Sequence, residues 1–152
     1  MKKLILAMAV IAISVLTVNA QDSGGTKVSI AANAGIPTTT GMSFSAGADL
    51  QAEFGKMTLS AGYQNYSFKS GGGSTYMIPL LAGVKFPFSD KVYGHAQVGY
   101  GFGEGSGSGA FGYAPSIGTM LGSKWDASIK YLNFTKNGSN NGSINLRLGY
   151  SF

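Results

Sequence analysis

The chain has 152 residues and a formal net charge of +5 at pH 7, and charged residues make up 11% of it. The basic residues are scattered rather than clustered, which argues against a nucleic-acid-binding protein. There is no cysteine, so disulfides, thiolate metal sites and an acylated cysteine are excluded, and a single histidine excludes a multi-histidine metal site.

The first twenty residues have the order of a secretory signal. Lys2 and Lys3 precede an apolar run of roughly 15 residues, and Val18-Asn19-Ala20 is a small-residue cleavage site. The run is shorter than the ~20 residues that a membrane-spanning helix needs. We therefore expect residues 1–20 to be a signal peptide cut after Ala20, and residues 21–152 to form one exported domain. An uncleaved helical anchor is the alternative.

Apolar and polar residues alternate along the rest of the chain, which is the pattern of half-buried β-strands. The last segment is the clearest, with apolar residues at every second position from Ile144 to Phe152 and polar residues or glycine between them. No sustained helical period follows residue 20. The predicted strands cover residues 26–35, 41–54, 56–68, 75–88, 91–103, 109–121, 123–135 and 142–152.

The lengths of these strands and their connections favour a membrane barrel. Most have about 10 to 14 residues, whereas strands of soluble proteins have about 5–6 and tilted bilayer-crossing strands about 9–11. Tight turns at 54–56, 89–91 and 121–123 alternate with longer polar loops at 36–40, 69–74, 104–108 and 136–141. Short turns at one end and longer loops at the other are typical of outer-membrane barrels, with both termini in the periplasm.

Aromatic residues cluster at both predicted ends of the strands, and aliphatic residues occupy the middles. This pattern indicates two aromatic girdles around an aliphatic belt, although aromatics filling the interior of a soluble barrel are an alternative. The periplasmic girdle would contain Phe54, Phe86, Phe88, Trp125 and Phe152. The outer girdle would contain Tyr66, Phe68, Tyr76, Tyr100, Phe102, Phe111, Tyr113, Tyr131 and Phe134.

The end of the chain resembles the C-terminal signal of bacterial outer-membrane proteins, in which aromatic or aliphatic residues alternate up to a terminal Phe. The residues that carry this resemblance are Ile144, Leu146, Leu148, Tyr150 and Phe152. Residues 21–152 as a whole resemble the small eight-stranded outer-membrane barrels of the outer-membrane protein A/X type. The resemblance implies an all-β, closed, antiparallel up-and-down transmembrane barrel in the outer membrane of a Gram-negative bacterium. It also implies that the barrel-assembly machinery reads Leu148, Tyr150 and Phe152, and that membrane lipid is a partner.

An eight-stranded barrel is just wide enough for its own side chains to fill. The alternation points charges of both signs inward, and a buried charge is costly unless it is paired. We expect an interior ion-pair network, with Glu53 and Arg147 as a plausible pair, that plugs the barrel. A narrow porin-like passage for small solutes is the alternative. The network candidates are Asp49, Glu53, Lys85, Asp126, Lys130 and Arg147.

No catalytic site, cofactor or metal is predicted. The alternation points His95 inward. Barrel lipid A deacylases resemble one another in a His-x-Ser pattern on one strand, but here Gln97 stands two residues after His95, so that pattern is absent. Pro79 and Pro115 fall within predicted strands, where proline cannot donate to the ladder, so we expect a bulge or a shortened strand at each. The predicted function is a structural envelope barrel, with a monomer favoured. A soluble secreted barrel that binds a small apolar ligand is the alternative, and it would have its apolar face inside.

Overall fold

A computed structural model describes residues 25–103 and 109–152. These residues form eight antiparallel strands, each paired with its sequence neighbours, and β1 also pairs with β8 to close a barrel. The predicted closed eight-stranded fold is therefore confirmed. The strands are β1 Lys27–Pro37, β2 Met42–Phe54, β3 Met57–Phe68, β4 Ser74–Pro87, β5 Val92–Gly103, β6 Ala110–Met120, β7 Trp125–Lys136 and β8 Ser139–Ser151. The predicted signal peptide, residues 1–20, and the loop 104–108 lie outside the described residues.

The two ends of the barrel differ in their connections. At one end, here called the terminal end, lie the start of β1, the end of β8 and the turns β2–β3, β4–β5 and β6–β7. At the other, the loop end, β1–β2 and β3–β4 are joined by residues 38–41 and 69–73. The β7–β8 connection was predicted as a longer loop, and this is wrong. Asn137 and Gly138, with φ values of 49° and 81°, form a two-residue turn between the paired Lys136 and Ser139.

Neither proline produces a bulge or shortens its strand, so that expectation is wrong. Pro79 pairs with Gly101 of β5, and Pro115 pairs with Ala96 of β5. On the other side of each proline the ladder lacks two pairs but resumes in the same register. A strand residue directs its N–H toward one neighbouring strand, so each proline interrupts one ladder and leaves the other intact.

A register shift occurs instead between Met42 and Phe44 in the pairing of β2 with β3. It changes the alternation, because Met42 and Ser45 are both buried although they are three residues apart. Strict alternation would place Met42 on the outer face together with Phe44, so the bulge reverses the direction of this side chain. An extra residue in one strand of a pair has this effect on side-chain direction.

No helix in the described part of the chain is long and apolar enough to cross a membrane.

Candidate functional site: the barrel interior

The outer surface of the barrel is apolar and its interior is polar. Large aliphatic side chains at the middles of the strands point outward, with Ile129 57% and Leu146 65% exposed. Their sequence neighbours Ser128, Lys130, Asn145 and Arg147 are buried in the interior. A belt of exposed aliphatics around the whole circumference is costly in water and favourable in lipid. The predicted direction of the alternation is observed, and it is the reverse of that expected for a soluble barrel with an apolar lumen.

Aromatic residues border the aliphatic belt at both ends, as expected for rings that settle at membrane interfaces. At the terminal end, Tyr150 packs between Trp125 and Phe152 with ring-centroid distances of 5.0 and 5.4 Å. At the loop end, Tyr100 packs edge-on against Phe111 at 6.2 Å. The contacts of Tyr150 with Trp125 and of Tyr100 with Phe111 each join two adjacent strands. The contact of Tyr150 with Phe152 joins β8 to the residue that follows it.

Arg147 is the central member of a buried charged cluster. Its Nη2 donates a hydrogen bond of 3.0 Å to Asp49 on β2, and its Nη1 donates one of 3.0 Å to Asp126 on β7. Asp49 also accepts from Asn33 at 3.0 Å and lies 4.0 Å from the ammonium of Lys130. All five side chains are at most 8% exposed. Two buried carboxylates therefore face two buried cations, so this cluster is neutral overall.

A second ion pair lies nearer the terminal end. Lys85 on β4 binds Glu53 on β2, and the Lys85 ammonium sits 4.8 Å from the centre of the Tyr93 ring. Tyr93 in turn donates a 2.8 Å hydrogen bond to Asp126. The suggested pairing of Glu53 with Arg147 is wrong, because the structure gives each a different partner. The stagger of neighbouring strands decides which interior side chains lie opposite each other, and the alternation alone does not give this stagger.

Many interior contacts cross the lumen rather than join adjacent strands. Arg147 on β8 reaches past β1 to Asp49, and Lys85 on β4 reaches past β3 to Glu53. Gln64 on β3 donates a 3.3 Å hydrogen bond to Asn145 on β8, with β1 and β2 between them. Interior side chains therefore connect strands that are not paired with each other.

An apolar cluster fills the interior on the side of β4–β7 toward the loop end. Leu81, Leu132 and Phe134 are at most 3% exposed and pack with Ala110 and Ala114. Gly101 and Gly112 make room for the ring, because a Cβ added to either would come within 2.6 Å of Phe134.

Phe134 and Tyr66 were assigned to the outer girdle, but each is only 1% exposed and points inward. That assignment is wrong for both. The alternation predicts the inward direction of both side chains. Phe134 lies an even number of positions from the inward Lys130 on the same strand, and Tyr66 lies two positions from the inward Gln64.

His95 is a buried interior residue whose Nε2 lies 2.7 Å from the hydroxyl of Thr58. Gln97 donates a 2.8 Å hydrogen bond to Ser60 on the same side of the lumen. In residues 25–103 and 109–152, no three histidine, aspartate or glutamate side chains are grouped as metal ligands would be. The contacts of His95 are thus those of a hydrogen-bonded structural residue.

No protein-family model matches the chain, and no match was found among the curated proteins. Solved structures do match. The N-terminal β-barrel domain of Pseudomonas aeruginosa OprF is 12% identical, with a TM-score of 0.68, over 83% of this chain and 97% of that one. The Yersinia pestis attachment invasion locus protein Ail is 15% identical, with a TM-score of 0.57, over 84% and 97%. Neisserial surface protein A is 16% identical, with a TM-score of 0.56, over 84% and 97%. This chain thus has the fold of the eight-stranded outer-membrane barrels, together with a surface suited to lipid.

Proposed function

We propose that the chain is an integral barrel of the outer membrane of a Gram-negative bacterium, with a structural role in the envelope and a closed interior. The observation that supports the proposal is the neutral cluster of Arg147, Asp49, Asp126 and Lys130, which links β2, β7 and β8 inside the barrel. The apolar cluster around Phe134, on β4, β6 and β7, would fill a further part of the interior. Water and ions would have to displace the charged cluster to pass.

Two further parts of the proposal concern export and assembly. Residues 1–20 would be removed as a signal peptide, which places the terminal end of the barrel in the periplasm and the loops outside the cell. Leu148 and Phe152 are 47% and 72% exposed on the outer face of the closing strand. They and Tyr150 would be available to the barrel-assembly machinery before β8 closes on β1.

Conductance in a planar bilayer tests the closed interior. The wild-type barrel should give no steady openings above those of the lipid alone. The variant Asp49→Ala/Asp126→Ala/Arg147→Ala, which removes the charged bridge and its volume, should give small openings, while Lys69→Ala on an exposed loop should stay silent. Steady openings of the wild type would instead favour a narrow passage for small solutes. Silence of the triple variant, if folded, would show that this bridge is not what closes the lumen.

A further inference from the structure

The mouth of the barrel at its terminal end holds a cavity of about 220 Å³. This open space is large enough to admit water and a small anion. Its walls come from the start of β1, the turns β2–β3 and β4–β5, and the end of β6. The charged residues around it are Lys27, Lys56, Lys85 and Lys91, together with Glu53 and Asp90.

The charges of this cavity are unbalanced, unlike those of the interior cluster. Four ammonium groups face two carboxylates, and one of those carboxylates, Glu53, is already bound to Lys85. Among the described residues, the side chains of Lys27, Lys56 and Lys91 have no ion-pair partner. Like charges gathered around a concave site repel one another, and a bound anion relieves that repulsion.

The donors favour one class of anion. Lysine ammoniums each carry three donors and no acceptor, and they bind phosphate as point charges. A tetrahedral phosphate oxyanion presents its oxygens in several directions to lysines on different walls, whereas the acceptor sites of a carboxylate lie in one plane. The hydroxyl oxygen of Ser89 accepts from the Val92 amide at 3.1 Å, which orders the β4–β5 turn beside Lys91. The cavity is therefore framed by two tight turns that each carry an exposed lysine.

We infer that this mouth is a binding site for a phosphate oxyanion. The phosphate could belong to a phospholipid headgroup at the rim or to a water-soluble phosphate ester. The inference does not depend on whether the lumen is closed.

Amide NMR and calorimetry of the intact barrel in an uncharged maltoside detergent test the site, with sodium pyrophosphate as the probe and sodium chloride at matched ionic strength as the reference. Pyrophosphate should give saturable shifts at the amides of Gly55, Lys56, Ser89 and Lys91. One exposed ion pair contributes up to about fivefold in affinity. The variant Lys56→Gln/Lys91→Gln removes two such pairs, so it should weaken binding roughly tenfold. Both lysines are exposed on turns, so heat-modifiable gel mobility can verify that the variant folds.

Two control variants separate the cavity from general positive charge. Lys124→Gln removes a lysine at the same end that does not line the cavity, and Lys69→Gln removes one at the loop end. Both should bind pyrophosphate within twofold of wild type. Non-saturable shifts, or an equal loss in Lys124→Gln, would overturn the site.

Nanodiscs distinguish the two sources of phosphate. If the ligand is a lipid headgroup, phosphatidylglycerol should shift the same amides relative to phosphatidylcholine and should block the response to pyrophosphate. If the ligand is water-soluble, those amides should be unchanged by phosphatidylglycerol and pyrophosphate should still bind. Either result supports a phosphate site. Absence of a saturable pyrophosphate response in the phosphate-free maltoside would contradict it, whereas a loss in nanodiscs of both lipids would indicate a headgroup ligand, because phosphatidylcholine also carries a phosphate.

Discussion

Replacing Arg147 with methionine keeps the flexible apolar part of the side chain but removes the guanidinium. Asp49 and Asp126 would then lose their strongest partner, and each is at most 6% exposed. Asp49 would keep only Asn33 and the more distant Lys130, and Asp126 would keep the Tyr93 hydroxyl. Breaking a buried pair by removing one partner costs about 3–5 kcal/mol, because the remaining charge is left uncompensated. We expect Arg147→Met to lower the free energy of unfolding by this amount.

Guanidinium unfolding in lipid vesicles measures the loss, with the fluorescence of Trp125, the single tryptophan, as the signal. Trp125 lies on the outer face at the terminal end, so its emission reports transfer from lipid to water. The matched control is Asp126→Asn/Arg147→Met, which leaves Asp49 opposite Lys130 and makes the cluster neutral again. It should recover at least about half of the loss. A single variant within about 1 kcal/mol of wild type, or a double variant that is equally unstable, would refute the argument from stranded charge.

Three further predictions concern the outer face, the apolar interior and assembly. Ile129→Arg, at the middle of the aliphatic belt, should destabilise the barrel in vesicles by about 2–4 kcal/mol, while Met57→Arg beside a turn should cost about 0–1 kcal/mol. Equal costs in vesicle unfolding would contradict a lipid-facing belt. Gly112→Ala should cost about 1–3 kcal/mol in the same assay because its Cβ meets a buried aromatic ring, whereas Gly25→Ala, with open space around it, should be neutral. A neutral Gly112→Ala would show that the interior is not tightly packed. Deleting Phe152 should reduce the folded barrel in cells more than refolding in vesicles, as measured by heat-modifiable gel mobility. Equal effects in both would argue against recognition by the assembly machinery.

The positions of the strands follow closely from the sequence, because one face of every strand meets lipid. Each predicted strand is present, and its ends differ from the prediction by no more than three residues. The largest difference is at β8, which begins at Ser139 because Asn137 and Gly138 reverse the chain in two residues. Asn-Gly is a strong signal for such a turn, so this end was readable from the local sequence.

The partners inside the lumen were harder to predict than the direction of the side chains. The alternation gives the inward face of Arg147, but its contacts with Asp49 and Asp126 depend on how far each strand is shifted against the next. The bulge at Met42–Phe44, which directly follows Gly41 with its φ of 90°, changes the direction of one side chain, and the alternation does not show it. The prediction of a bulge or a shortened strand at Pro79 and Pro115 was wrong because each proline interrupts the pairing with only one of its two neighbouring strands.

Migration of the protein on SDS gels, taken from a urea-washed outer-membrane fraction, tests the membrane-barrel fold most directly. The protein should remain with the washed membranes, and the unheated sample should migrate as a compact folded band that shifts on boiling. A protein released into solution on lysis without detergent, with the same mobility before and after boiling, would contradict the account.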